Sequence, residues 1–249
     1  MLIEGICVSS HYEDYLVWCL SSCKHIFDRL VVVTSDQEYD NKTETICKHF
    51  HTTCIRTNVL NEKFNKGMAI NIGLNQLSGK GWIVHFDSDI IFPPRTREML
   101  GYTGLKSENV YGAIRLNCVG YDNWIKYFTN PEPIYQDEIF IHLNKFPAGT
   151  LVSKTYTCAR DGDLDFERGW IPVGYFQMWN QSNGIKRVYP VSHTNAGRSD
   201  CEFIVKNWPK RENRVLIPEL VLIHLCTEDG TAQGVNWSGR ASKRFGPNE

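Results

Sequence analysis

Short apolar runs alternate with helix-patterned stretches over the first hundred residues, and this alternation restricts the fold more than any other feature of the chain. The runs "LIEGICV" (2–8), "LVVVT" (30–34), "TTCI" (52–55) and "WIVHF" (82–86) are β-branched or aromatic and bounded by turn formers. They are too short for helices and read as strands. Between them, residues 14–28, 42–50 and 65–77 read as helices; in the first, Leu16, Leu20, Cys23 and Phe27 recur at helical spacing. Strand–helix repetition of this kind predicts an α/β fold, a mostly parallel central sheet with helices on both faces. Ligands of such sheets bind at the carboxyl ends of the strands.

Beyond residue 100 the pattern becomes irregular. "NVYGAIRL" (109–116) reads as a strand, "VLIPELVLIHL" (215–225) contains another, and "SDCEFIVKNW" (199–208) reads as a short helix capped at Ser199 or Asp200. No internal repeat, low-complexity tract or linker interrupts the chain. The expectation is therefore one domain over residues 1–249, with a regular half (1–100) suited to a nucleotide and an irregular half (101–249) suited to a second substrate. At 249 residues and 42% hydrophobic, the chain can bury a large core without covalent staples.

Charge and cysteine content exclude some functions. With Lys+Arg 27 against Asp+Glu 28, the net charge of -1 creates no global field for nucleic acid or an acidic membrane. No apolar run approaches the ~20 residues of a membrane span, and Glu4 interrupts the N-terminal stretch where a secretory leader needs an apolar core. The nine cysteines are odd in number, lack C-x-x-C spacing and mostly sit in apolar contexts, so they are expected to be buried thiols. A cytoplasmic protein is the resulting expectation.

The segment "WIVHFDSDIIFPP" (82–94) brings Asp87 and Asp89 to the end of an apolar strand. Burying two unpaired carboxylates costs several kcal/mol each, so a positive partner is required, and a divalent metal is the first candidate. Two further Asp-x-Asp pairs, Asp161/Asp163 and Asp163/Asp165, lie in "DGDLDFERGWIP". There Phe166 replaces the glycine of a calcium loop and Pro172 its bidentate glutamate, so this run reads as a solvated loop.

A strand, then Asp-Ser-Asp and "IIFPP", after three strand–helix units, resembles the nucleotide-sugar-dependent glycosyltransferases of the GT-A fold. The resemblance implies a metal ion held by Asp87 and Asp89 against the donor diphosphate, with Ser88 also at the donor. Mn²⁺ is the implied cofactor and Mg²⁺ the alternative. "FNKGMAINIGLN" (64–75) is similar to the Lys-Gly helix start of family-2-like members, which implies that Lys66 faces the nucleotide; a solvated lysine is the alternative. Asp36, in "VVVTSDQ", stands where these enzymes place an acid against base or ribose, or is a turn residue. Ser9, after the first strand, is placed at the donor by the same likeness.

His224, in "ELVLIHLC", lies where many metal-dependent members supply a third ligand. Two carboxylates and an imidazole suit Mn²⁺ better than an all-oxygen magnesium site. A core histidine is the alternative. In "GVNWSGRASKRFG", the resemblance implies that Arg240 or Lys243 closes over the diphosphate; a solvated tail is the alternative. "GWIPVGYFQMWN" (169–180) offers either a sugar-stacking wall or core. "GRSDCEF" (197–203) resembles the segment that carries the acceptor-activating carboxylate of inverting galactosyltransferase-like enzymes, with Ser199 departing from that pattern. The likeness implies Asp200 as general base, with Glu202 as the alternative.

The implied reaction is transfer of a sugar, with inversion, from a nucleotide diphosphate donor, foremost a UDP-sugar, to a hydroxyl of a glycan or other acceptor. The near-neutral charge disfavours a nucleic-acid acceptor. A nucleotidyltransferase competes, but it would carry a Gly-rich basic loop where this chain has "CVSSHYEDY". A non-catalytic carbohydrate- or nucleotide-binding module, its acidic residues structural, is the rival from another class.

Overall fold

The computed structural model describes residues 1–61, 63–129, 171–181, 186–193, 196–226 and 244–247. In chain order the elements are β1 (Ile3–Val8), α1 (Glu13–Cys23), β2 (Arg29–Ser35), α2 (Asn41–His49), β3 (Thr53–Thr57), α3 (Lys66–Leu74), β4 (Trp82–Asp87) and β5 (Ile90–Ile91). There follow α4 (Thr96–Tyr102), β6 (Val110–Val119), α5 (Tyr121–Thr129), β7 (Phe176–Asn180), α6 (Ala196–Asn207) and β8 (Arg214–Cys226). The strands form one sheet in the order β3-β2-β1-β4-β7-β6-β8-β5.

The expected α/β class is what forms. Strands β3, β2, β1 and β4 run parallel, as do β6 and β8. The antiparallel strands are β7, between β4 and β6, and the short β5 beside β8. Alternate residues of each inner strand feed opposite cores, as the two-residue period of a strand requires. Ile3 and Cys7 of β1 pack with Leu16 and Leu20 of α1, whereas Ile6 and Val8 pack with Ile70 and Leu74 of α3. On β4, Trp82, Val84 and Phe86 join the first core and Ile83 the second.

One open alternative closes and two expectations change. Residues 176–180 are an inner strand with Phe176, Met178 and Trp179 at most 1% exposed, so this stretch is core and not a sugar-stacking wall. Helix α1 ends at Cys23 instead of continuing to residue 28. Asp28 is already tied to β1, its amide donating to the Ile3 carbonyl and its carboxylate accepting from the Ile3 amide, so the chain must be extended there. Helix α6 starts at Ala196, which places Asp200 inside the helix rather than at its cap.

The expectation of buried thiols holds at six positions, holds in part at the half-buried Cys54 and fails at Cys201. Cys7, Cys19, Cys23, Cys47, Cys54, Cys118 and Cys226 are free thiols. Cys201 is disulfide-bonded, so the chain does not carry nine thiols. No helix among the described residues is long and apolar enough to cross a membrane.

Helix α3 is clamped onto the segment that follows β7. The Asn71 side chain donates to the Tyr189 carbonyl at 2.9 Å and accepts from the Tyr189 amide at 2.8 Å. Gly67 lets the two backbones close, since a Cβ there would lie 2.1 Å from the Pro190 carbonyl oxygen. Gly67→Ala should therefore lower stability by about 1–3 kcal/mol, the usual cost of overpacking against atoms that cannot yield. Thermal melting checks this, and an unchanged midpoint would show that the clamp yields.

Candidate active site

Asp87 is the last residue of β4, and Asp89 lies in the turn that leads to β5. The pairing of Ile90 with His224, and of Asn117 with His224, brings the imidazole of β8 to that turn. A backbone bond from Leu225 to the Asp89 carbonyl, 2.9 Å, fixes the approach. His224 Nε2 then lies 3.1 Å from Asp89 Oδ2, and His224 Nδ1 lies 3.0 Å from Asn117 Oδ1. Both oxygens only accept, so each ring nitrogen donates, Nδ1 to Asn117 and Nε2 to the Asp89 carboxylate.

Electrostatics follow from burial and pairing. Burial alone would favour a neutral His224, but the neighbouring Cys226 sulfur and the Asp89 carboxylate outweigh it and lift the imidazole to about 10. Burial works to raise Asp89, but His224, Arg115 and Lys66 together outweigh it and hold the carboxyl below its usual range. Asp87 is raised, by burial first and by the Asp89 charge as well, although Lys66 acts against both. The Lys66 ammonium, reaching from the first residue of α3, pairs directly with Asp87 Oδ1. Lys66 also feels Asp200 and Asp89, and these charges keep it protonated although it is buried.

The residues fit a divalent cation in donor chemistry. Asp89 Oδ1 is buried with no hydrogen-bond partner among the described residues, a costly state that a cation would relieve. Asp89 and His224 already meet, whereas Asp87 is turned to Lys66. Among the described residues no three His, Cys, Asp or Glu side chains are gathered closely enough to hold a metal as they stand.

The other anticipated residues divide. Ser9, past the end of β1, is buried; its amide donates to the Val33 carbonyl at 2.9 Å and its hydroxyl has no partner among the described residues. Asp36, past the end of β2, is exposed and accepts from Asn61 at 2.7 Å. Ser88 is buried in the turn between the two carboxylates. Ser9, Asp36 and Asp87 thus stand at the carboxyl ends of three adjacent parallel strands. Arg240, Lys243 and the acidic loop of Asp161, Asp163 and Asp165 lie outside the described residues.

Asp200 and Glu202 point in different directions. Asp200 is 9% exposed, with Oδ2 accepting from the Gly174 amide at 2.7 Å and Oδ1 from the Cys201 amide at 2.8 Å. Burial raises its pKa, while Lys66 and the two amides pull it back. Glu202 pairs with His193 at 2.5 Å and lines an outer groove with Lys186 and Lys206. Glu13 and Asp40 are buried carboxylates that the sequence does not single out. Asp40 accepts from the hydroxyls of Ser10 and Ser35 and from the His11 amide at 2.6 Å, which fixes the loop after β1. Nothing in its local sequence distinguishes it from a helix cap.

Three solved structures share this architecture. A mycobacterial protein is similar with a TM-score of 0.55 at 16% identity, over 91% of this chain and 66% of that one. S. aureus TarS (residues 1–349) gives 0.58 at 13%, over 91% and 60%. Glucosyl-3-phosphoglycerate synthase from Mycobacterium tuberculosis, in complex with Mn²⁺, uridine diphosphate and glucosyl-3-phosphoglycerate, gives 0.53 at 12%, over 90% and 71%. The chain spans less than two thirds of the first two. The fold is that of the GT-A glycosyltransferases. No curated protein sequence matches. Residues 6–153, more than half the chain, match the model of Glycosyl transferase family 2. The chain belongs to that family.

The alternative roles of His224 can be separated by measurement. As a metal ligand, its replacement in His224→Ala should raise the Mn²⁺ concentration needed for half-maximal turnover at least tenfold. As core only, it should cost about 1–3 kcal/mol in melting with the metal requirement unchanged.

Proposed function

We propose that this chain transfers a sugar from a nucleotide diphosphate donor, foremost a UDP-sugar, to a hydroxyl acceptor with inversion at the anomeric carbon. Mn²⁺ is bound by Asp87, Asp89 and His224, and Asp200 is the general base. The observation that carries this reading is the meeting of Asp89 and His224, with Asp89 Oδ1 unpartnered among the described residues, at the carboxyl edge of a family 2 sheet. The Mn²⁺ and uridine diphosphate in the complex of the M. tuberculosis synthase support it.

When bound, the cation neutralises charge that develops on the leaving diphosphate. The chain's residues supply the remainder. Lys66 places a fixed positive charge beside Asp87. Ser9 and Asp36, at the ends of the neighbouring strands, face the nucleoside. Asp200, made more basic by burial, takes the acceptor's hydroxyl proton as the new bond forms.

Incubation with a panel of UDP-sugars, with and without Mn²⁺, tests the reading. Mn²⁺-dependent release of UDP is the expected result. No release from any nucleotide sugar would favour the non-catalytic binding module, and release of pyrophosphate from a nucleoside triphosphate would favour a nucleotidyltransferase.

A further inference from the structure

A buried line of hydrogen bonds runs from the strand that carries Asp87 to the helix that carries Asp200. His85 stands two residues before Asp87 on β4 and therefore points to the same face of the sheet. It is fully buried, and its Nδ1 lies 3.1 Å from the Tyr189 hydroxyl. That hydroxyl bonds Gln177 Oε1. Gln177, on β7, extends its amide nitrogen to the Pro172 carbonyl at 2.7 Å and to the Asp200 carbonyl at 3.3 Å.

The direction of every bond is fixed by chemistry. Two carbonyls accept from the Gln177 nitrogen, so its oxygen can only accept, and Tyr189 must donate to it. The single hydroxyl proton is then used, so His85 must donate from Nδ1. Burial, aided by the nearby Lys66, holds His85 well below the usual imidazole range and keeps it neutral. Burial likewise keeps the Tyr189 phenol protonated.

Gln177 acts on Asp200 in two ways. It holds the Asp200 carbonyl, and by closing on Pro172 it shapes the turn whose Gly174 amide points at Asp200 Oδ2. The turn allows no slack, because a Cβ on Gly174 would lie 2.7 Å from that oxygen. Apolar side chains could fill the same volume without the desolvation cost of three polar groups, so the network specifies an arrangement beyond what packing needs.

We propose that Tyr189 is a positioning residue for Asp200, acting through Gln177 and anchored by His85 on the metal-site strand. The proposal rests on the reading of Asp200 as general base. Tyr189→Phe keeps the ring, which stacks on Phe203 with centroids 3.8 Å apart, and removes only the hydroxyl. Gln177→Met cuts the line at its other end with little change of volume.

The experiment is a cycle of four proteins: the unsubstituted chain, Tyr189→Phe, Asp200→Asn and the double variant. Transfer from a UDP-sugar is followed well below the melting temperature of each. Tyr189→Phe should lower kcat about 10–100-fold, the scale of a small misplacement of a reacting group, with KM for the donor and the Mn²⁺ requirement unchanged. The loss should vanish when Asp200 is already Asn, and Gln177→Met should reproduce it. If Asp200→Asn is active, the reading of the base fails. If Asp200→Asn is impaired but Tyr189→Phe keeps its kcat, or its loss persists in the double variant, the positioning role alone is overturned. A lower melting temperature with normal kcat in both Tyr189→Phe and Gln177→Met would likewise overturn it.

Discussion

Asp89→Asn should lower the turnover of the UDP-sugar by at least roughly 10³-fold, and added Mn²⁺ should not restore it. Charge stabilisation by a bound cation is worth several kcal/mol, and each 1.36 kcal/mol is a factor of ten in rate. A neutral amide is a poor ligand for a hard cation. The position is also the one where two potential ligands already converge, with His224 Nε2 3.1 Å from Asp89 Oδ2. Asparagine removes the counter-charge of a buried imidazolium as well, so melting without metal should fall, while the far-ultraviolet circular dichroism at low temperature should be that of the unsubstituted chain. Titration of Mn²⁺ against turnover is the measurement. Undiminished Mn²⁺-dependent turnover in the variant would remove Asp89 from the metal site.

For Asp200→Asn the expected loss in kcat is roughly 10²–10⁴, the usual contribution of a positioned base, with KM for the donor unchanged. The structure alters what else should be seen. At a helix cap, asparagine would replace aspartate at no cost, but Asp200 accepts a backbone N–H on each carboxylate oxygen. Asparagine has one accepting oxygen, and its nitrogen would face a second donor. Stability should therefore drop by about 1–3 kcal/mol, the penalty for one buried donor left without a partner. The two effects are read separately, by thermal melting and by kcat on fully folded protein. Nuclear magnetic resonance of the product should show the anomeric configuration opposite to that of the donor. Near-normal turnover would shift the role to Glu202, which the structure places on the outer groove beside His193, and retained configuration would discard inversion.

In the parallel half, β1, β2 and β4 were legible because they are buried on both faces and read as largely apolar runs between turn formers, and the half-exposed edge strand β3 because β-branched residues follow a turn. The sequence intervals proposed for β1, β2, β3 and β4 match the structure to within a residue or two. Strand β7 was not legible. Gln177 and Asn180 interrupt its apolar residues, and its antiparallel place between β4 and β6 is set by partners distant in the chain. The pairing of Lys66 with Asp87 was half visible: a lysine at a helix start was noted, its carboxylate was not. His85, Gln177 and Tyr189 gave no signal, since a buried polar residue in an apolar run is recognised only through the groups it bonds.

What the sequence determined by itself was local and periodic. The alternation of strands and helices follows from hydrophobic spacing, and the placing of Asp87 and Asp89 at a strand's carboxyl end follows from the run "WIVHF" before them. What the tertiary structure decided was convergence. The register of β5 against β8 brings His224 to Asp89 across 135 positions of sequence, and the turn before β7 aims the Gly174 amide at Asp200 from 26 positions away. Spacing in sequence records which face of an element a residue occupies. Which other element covers that face is settled only when burial, backbone pairing and the satisfaction of buried polar groups are solved together for the whole chain.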